Sequence, residues 1–255
     1  MLNILLNGCN GKLSRAVIEY CENRRDVRVA AGIDHVPARA PLPFPVFTSP
    51  ADVDGVRPDV VLDCSHPSLL PALLEFCIRE SLPAVLATTG YGEGEFAMIE
   101  QAAGRIPIFQ SGNMSLGIFL LKQLAKQAAT ALGEGFDIEI VEAHHNQKVD
   151  APSGTAYILA EAVNEGLAAP RGYTYERHSQ REARPGDEIG IHSIRGGTVP
   201  GEHTVIFAGF DEVVELTHRA YSKRIFAAGC LAAARWLADK PAGRYNMDDM
   251  VNPCG

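Results

Sequence analysis

A short apolar run, Leu2–Asn7, breaks without a spacer into the glycine loop Gly8-Cys-Asn-Gly11-Lys-Leu-Ser14, and the loop opens directly onto a helical pattern. Strand, glycine turn and helix in immediate succession commit the chain to a βα unit, which needs a further parallel strand to bury its apolar face. Strand-like runs follow at residues 27–34, Val60–Asp63, 84–88 and Pro107–Gln110. They are rich in Val, Ile, Leu and Ala with little polar alternation, the pattern of strands covered on both faces. Between the first two, Leu13, Val17, Tyr20 and Arg24 fall on one helical face, and residues 67–80 and 93–103 supply further helices. Five prolines (Pro37, Pro41, Pro43, Pro45 and Pro50) exclude a regular helix from residues 35–50. The expectation is a Rossmann-like α/β domain built on a parallel sheet.

The loop residues have separate uses. Gly8 permits the tight turn, and Gly11 lets the backbone approach a pyrophosphate. The helix start then offers N–H groups and a positive dipole end to that anion. Ser14 stands where the dinucleotide fingerprint has its third glycine. Asp34 follows 20 residues after Ser14, at the end of the second strand, where a carboxylate accepts hydrogen bonds from an adenosine ribose. Gly8, Cys9, Asn10, Gly11, Lys12, Leu13 and Asp34 are thus expected to hold a nicotinamide dinucleotide. Asp34 repels a 2′-phosphate and favours NADH, whereas Lys12 and His35 offset that repulsion, so NADH and NADPH both stay open. Ala87-Thr88-Thr89-Gly90 and Ser111-Gly112-Asn113-Met114-Ser115 follow the fourth and fifth strands. Open α/β sheets hold ligands outside the carboxyl ends of their strands, which places both loops beside the nicotinamide half. Cys64-Ser-His66-Pro, after the third strand, has the same standing, although each of these loops alone is an ordinary turn.

Past Asn113 the texture changes. A helix is expected over Leu116–Leu132, and the alternation of residues 136–142 suits a strand with one wet face. Pro152 and Ser153 suit the first positions of a second helix. Residues 166–188 set Arg171, Arg177, Arg181 and Arg184 against Glu176, Glu182, Asp187 and Glu188, which reads as a solvated loop and not a basic patch. Strand-like runs at 189–194, 203–208 and 212–218 make this an α+β domain with a mixed open sheet. Residues 222–239 are helical: Ser222 can cap, and Phe226, Cys230, Ala233 and Leu237 recur at helical spacing. The expected division is 1–113 with 222–255 for the dinucleotide-binding domain, its last helix returning to it, and 114–221 for a substrate and oligomerisation domain.

Composition narrows the partners. With 46% hydrophobic and 21% charged residues the chain can bury a core, and a net charge of −8 speaks against nucleic acid or an anionic membrane as partner. No apolar run reaches the ~18–20 residues of a transmembrane helix. The N-terminus lacks a basic n-region, so a cytoplasmic protein with reduced thiols is expected. Cys9, Cys21, Cys64, Cys77, Cys230 and Cys254 have no metal-binding spacing, so no metal is expected.

The chemistry concentrates in Glu142-Ala-His144-His145-Asn-Gln-Lys148-Val-Asp-Ala-Pro152-Ser153-Gly154-Thr155-Ala. Two imidazoles and an ammonium stand within five positions, just before a helix start able to hold a carboxylate. Taken blind, the segment is a polar loop with a capping serine and surface histidines, and adjacent histidines point apart and make poor zinc partners. As a string, however, it is similar to the E-A-H-H-x-x-K-x-D-A-P-S-G-T-A signature of the 4-hydroxy-tetrahydrodipicolinate (dihydrodipicolinate) reductase family. The resemblance continues through GCNGKLS, DCSHP, ATTGY, GNMSLG, Arg195-Gly-Gly-Thr-Val-Pro-Gly201-Glu-His203 and ELTHRAYSKRIFAAG. Departures are Ser14 and His35, where some members carry arginine, and both bear on cofactor preference.

The resemblance implies NADH- or NADPH-dependent reduction of a cyclic dicarboxylate in lysine and diaminopimelate biosynthesis. His144 would be the proton donor and acceptor and Lys148 the proton donor. His145, Ser153, Gly154 and Thr155 would bind substrate. Residues 8–13, Asp34, His35, Ala87, Thr88, Thr89, Ser111, Gly112, Asn113 and Met114 would bind cofactor, and Arg195 gets no role. It further implies a homotetramer built through the second domain's sheet, and hinges near 111–116 and 218–224. Two other readings share these features: a different two-domain NAD(P)-dependent oxidoreductase acting on a small carboxylate, and a non-catalytic NAD(P) sensor. Neither needs His-His-x-x-Lys ahead of Ser-Gly-Thr.

Overall fold

The computed structural model describes residues 1–22, 24–36 and 41–252, so Pro37 and Cys254 lie outside the described residues. The chain runs β1 (Leu2–Asn7), α1 (Lys12–Glu22), β2 (Val27–Ile33), β3 (Val46–Phe47), β4 (Val60–Asp63), α2 (Leu70–Glu80), β5 (Ala84–Leu86), α3 (Glu93–Ala103) and β6 (Pro107–Gln110). It continues through α4 (Leu116–Leu132), β7 (Asp137–His144), α5 (Gly154–Gly166), β8 (Gly172–Thr174), β9 (Glu188–Arg195), β10 (Gly201–Ala208) and β11 (Val213–Ala220). It ends with α6 (Arg224–Leu237), β12 (Gly243–Tyr245) and α7 (Met247–Val251). Two compact units result: Met1–Ser115 joined by the chain from Lys223 onward, and Leu116–Ser222.

In the first unit seven parallel strands are ordered β12-β6-β5-β4-β1-β2-β3. Leu5, Val61, Leu86 and Ile108 are fully buried with Leu73 and Ile99, as apolar strands covered by helices should be. From β1 the chain moves outward to β2 and β3, then crosses back to β4 on the other side. The crevice beyond the ends of β1 and β4 is thus the switch point at which such sheets bind ligands.

Helix α1 is rotated from the expected face. Ser14, Ala16, Val17, Ile18 and Cys21 are buried, Leu13 and Tyr20 only half so, and Arg24 lies past the helix end in an ion pair with Asp26 at 2.9 Å. The cause is Ser14, which turns inward to donate to the Gly8 carbonyl at 2.7 Å. Strand β3 is an addition in the proline-rich segment. Gly32 N–H donates to Pro45 O at 2.9 Å, and proline is tolerated there because β3 is an edge strand. Helix α6 begins after Lys223, which already has helical dihedrals and makes no side-chain cap.

The second unit has a five-stranded sheet, β11-β10-β7-β9-β8, in which β7, β9 and β8 are parallel and β7, β10 and β11 antiparallel. Ile138 and Ile140 of β7 pair with Ile189 and Ile191 of β9 and with Phe207 and Val205 of β10. That face packs on Ile118 and Leu121 of α4 and on Leu159 and Val163 of α5. Residues 166–188 are not the solvated loop that charge balance suggested. Arg184 donates to Glu139 and Asp137 at 2.9 and 2.8 Å, Arg177 reaches Glu188, and Arg171 donates to Phe136 O at 3.0 Å. Three of the four arginines thus tie this stretch to the beginnings of the inner strands β7 and β9, and β8 forms within it. Pro152 stands outside α5, whose N-cap is Ser153 with its hydroxyl accepting from Ala156 N–H at 3.2 Å.

Candidate active site

The crevice of the first unit is shaped by backbone. Gly8 has φ +73°, and a Cβ there would lie 2.8 Å from the Cys64 carbonyl oxygen. A side chain at this position would fill the gap between the loops that follow β1 and β4. Gly8 N–H donates to Ile33 O at 2.8 Å and Gly11 N–H to Gly8 O at 3.0 Å, which coils the loop into the start of α1. Asp34 accepts from Asn10 N–H at 2.9 Å and Val36 N–H at 3.0 Å, drawing the acidic strand end against the glycine loop. Gly8, Gly11, Asp34, His35, Ser65 and His66 line a cleft of about 320 Å³. Open glycines, a helix start and a carboxylate at the next strand end fit a dinucleotide's pyrophosphate and ribose.

Several of the other expected cofactor residues are buried in the loops and strand ends of this unit and do not line the cleft. Cys9 is fully buried against Gly32, and burial, with Asp34 nearby, pushes its thiol up to about 11. Thr88 is buried and its hydroxyl donates to Asp63 at 2.7 Å, so its side chain is turned into the protein. Asp63, 1% exposed, also accepts from Asn7 at 2.8 Å, Ser65 at 2.6 Å and Tyr91 at 3.1 Å. Burial, and next the Asp63 charge, push the Tyr91 phenol up. Met114 is buried, and a Cβ at Gly229 of α6 would lie 1.7 Å from its carbonyl oxygen. Ser111 Oγ donates to Asn113 O at 2.8 Å, closing the turn around Gly112. Lys12 and Thr89 are exposed, and Ala87 N–H donates to Asp63 O at 2.9 Å.

In the second unit the face that is apolar along most of β7 becomes polar at its end. Glu142 pairs with Ser193 of β9 and His203 of β10, and His144 pairs with Arg195. Glu142 has no exposed surface. Its carboxylate accepts from His144 Nδ1 at 2.6 Å, from both terminal nitrogens of Arg195 at 2.7 Å, and from Ser153 N–H at 3.1 Å. Ser153 Oγ meets His203 Nε2 at 3.0 Å, and the His203 ring stands edge-on to His144 with centroids 5.2 Å apart. Lys148 Nζ donates to Asp150 at 2.7 Å, and Arg195 donates to the Asp150 carbonyl at 2.7 Å. Gly154 and Thr155 are the first residues of α5.

These contacts set the charges. Burial works against ionised Glu142, but hydrogen bonds from Arg195, Ser193 and His144 outweigh it and hold the carboxyl down to about 2. Burial lowers His144 below the usual histidine value; Glu142 pulls it up, and Lys148 and Arg195 add to the lowering. His203 falls further, to about 3, through burial first and then the neighbouring His144. The site therefore offers neutral imidazoles beside two fixed cations.

His144, Ser153 and the start of α5 are brought together, with Lys148 tied in through Asp150 and Arg195. His145 follows the strand end with its Nδ1 shielded from solvent and without a hydrogen-bond partner among the described residues, while its carbonyl accepts from Lys148 N–H at 3.1 Å. Glu142, Asp150, His203 and the position of Arg195 escaped the reading of the sequence, as did Asp63 and Tyr91. One signal was legible: Glu142 lies two residues before His144 and so on the same strand face.

Two family profiles match the chain: "Dihydrodipicolinate reductase, N-terminus" over residues 2–114 and "Dihydrodipicolinate reductase, C-terminus" over residues 117–251. A 4-hydroxy-tetrahydrodipicolinate reductase of Caldanaerobacter subterraneus subsp. tengcongensis is 45% identical over 98% of this chain and 98% of its own. One of Exiguobacterium sp. is 49% identical over 98% and 95%. Among solved structures, the dipicolinate-bound dihydrodipicolinate reductase of Paenisporosarcina sp. TG-14 shares the fold, with a TM-score of 0.80, 24% identity, and coverage of 98% and 99%. Both halves being matched, in order and nearly end to end, the chain belongs to the dihydrodipicolinate reductase family.

Proposed function

We propose that this chain catalyses the reaction for which its relatives are named, the NADH- or NADPH-dependent reduction of 4-hydroxy-tetrahydrodipicolinate to tetrahydrodipicolinate on the route to diaminopimelate and lysine. The observation that carries this reading is the grouping of neutral His144, cationic Lys148 and the head of α5 in one unit, where a dicarboxylate needs donors and a proton source. The glycine crevice and Asp34 hold the dinucleotide, whose nicotinamide supplies the hydride when bound. Gly154 and Thr155 receive one carboxylate at the positive end of α5, and Ser153 shapes that helix start. His145 and Lys148 flank the ring. Density left on the ring by reduction is quenched by a proton from Lys148 or His144, an effect of roughly 10²–10⁴ in rate.

The same reading includes a homotetramer and a cytoplasmic setting. The sheet face that carries Val141, Ile194, Ile206 and Val213, opposite the one packed on α4 and α5, supports assembly through that sheet. A coupled assay with synthase-generated substrate and each cofactor in turn is the test. Loss of reduced-cofactor absorbance, inhibited competitively by pyridine-2,6-dicarboxylate, is expected. Failure to oxidise either cofactor overturns the assignment.

A further inference from the structure

We propose that Glu142 and Arg195 are positioning residues for this reaction: together they lock His144 with its proton on Nδ1 and leave Nε2 as the ring atom that exchanges a proton with the substrate. The proposal rests on the reaction assigned above. Its first leg is valence. An ionised carboxylate only accepts, so the Nδ1 that meets Glu142 at 2.6 Å must carry hydrogen. Glu142 stays ionised because the Arg195 fork occupies both of its oxygens at 2.7 Å and Ser153 N–H adds a further donor.

The second leg is the commitment of Arg195. Its terminal nitrogens also donate to Ile194 O at 2.8 Å and Asp150 O at 2.7 Å, so the fork is held on the protein and not turned toward a ligand. Arg195 therefore acts through Glu142. The third leg is room. Gly201 of β10 faces Nε2, and a Cβ there would lie only 3.1 Å from that atom.

The electrostatic consequence follows from all the groups facing His144. Glu142, on its own strand, favours a proton on the ring. Arg195 from β9 and Lys148 from the following loop oppose one, and the neighbouring ring of His203 on β10 is neutral. A lone carboxylate beside an imidazole would raise its basicity; here the guanidinium offsets that carboxylate, and burial tips the balance to the neutral ring. Nε2 then holds a free electron pair in the resting enzyme. A bound dianion favours uptake of one proton from solvent at Nε2; with the substrate's 4-hydroxyl lost as water and hydride supplied by a bound reduced nicotinamide, the imidazole would give that proton to the ring carbon next to the one that received hydride and end neutral. Hydride and one proton go in and one water leaves, which balances 4-hydroxy-tetrahydrodipicolinate against tetrahydrodipicolinate.

The experiment is nitrogen-15 NMR of histidine-labelled protein at neutral pH, joined to pH profiles of kcat/KM. Wild type should show His144 as the neutral Nδ1–H form, and a neutral Nε2–H form overturns the proposal. Arg195→Gln should move the basic limb of kcat/KM to higher pH by about one unit and lower kcat about tenfold with KM nearly unchanged. Arg195→Lys should restore most of the profile. A raised KM with an unmoved profile would make Arg195 a substrate ligand and overturn the proposal. Glu142→Gln leaves a buried guanidinium unpaired, and should it fail to fold, Glu142→Asp replaces it with the same expected split between kcat and KM. Wild type that shows the Nδ1–H form yet reduces no substrate would refute the assigned reaction and leave the tautomer standing.

Discussion

In the first unit the crevice is built by backbone: two glycines, a helix start, and loops brought within van der Waals reach of each other. In the second unit the candidate site is built from side chains, with Glu142, His144, Arg195 and His203 set side by side by strand pairing. A backbone site depends on what is missing from it, since any Cβ at Gly8 intrudes. A side-chain site depends on what is present and on protonation, so it should respond to pH and to conservative substitutions in ways the first does not.

Lys148→Ala tests the contrast most strongly. Turnover should fall roughly 10²–10⁴-fold while cofactor affinity, measured by fluorescence titration, is kept. Unchanged kcat would remove proton chemistry from that lysine. Acidification comes next. His203 is held at about 3 in the folded protein against an ordinary 6.5. Its contribution is complete above pH 6.5 and drains away toward pH 3, because the unfolded chain binds a proton that the folded one refuses. At pH 5 the loss is about 2 kcal/mol. Glu142, at about 2 against 4.5, adds a loss that begins below pH 4.5. Amides of β7 and β10 should therefore exchange sooner than those of β1 and β4 at pH 5, and His203→Gln should flatten the slope. Uniform loss of protection across both units would erase the distinction.

Gly8→Ala places a side chain at φ +73° and against Cys64 O, at a cost of about 1–3 kcal/mol. The melting temperature should fall and cofactor binding weaken, while pyridine-2,6-dicarboxylate still binds by calorimetry. Asp34→Ala has the smallest effect: NADH should weaken about tenfold, consistent with loss of a charge-assisted hydrogen bond, and NADPH less. Equal losses would detach Asp34 from the ribose.

The same contrast explains what the sequence disclosed. Five main strands of the first unit and the helices Glu93–Ala103 and Leu116–Leu132 are legible because apolar runs and helical periods are local patterns. Gly8, Gly11 and Asp34 are legible for the same reason, being fixed by spacing along one βα unit. Arg195 and His203 are not, since they meet Glu142 only when β9 and β10 pair with β7, more than fifty residues away in sequence. Charge counting misjudged residues 166–188 because balanced charges look alike whether they face water or, as with Arg184, grip Glu139 and Asp137. Position β3 was hidden by prolines, which are compatible with an edge strand and a coil alike.

The carboxylate of Asp63 gathers a β1 side chain, its own loop, a threonine of the loop after β5 and a phenol into one knot. For anyone wishing to re-engineer cofactor choice, the crevice therefore has an editable rim and an indivisible hub. Asp34 and His35 can be rewritten individually, whereas Asn7, Asp63, Thr88 and Tyr91 would have to be transplanted as a set.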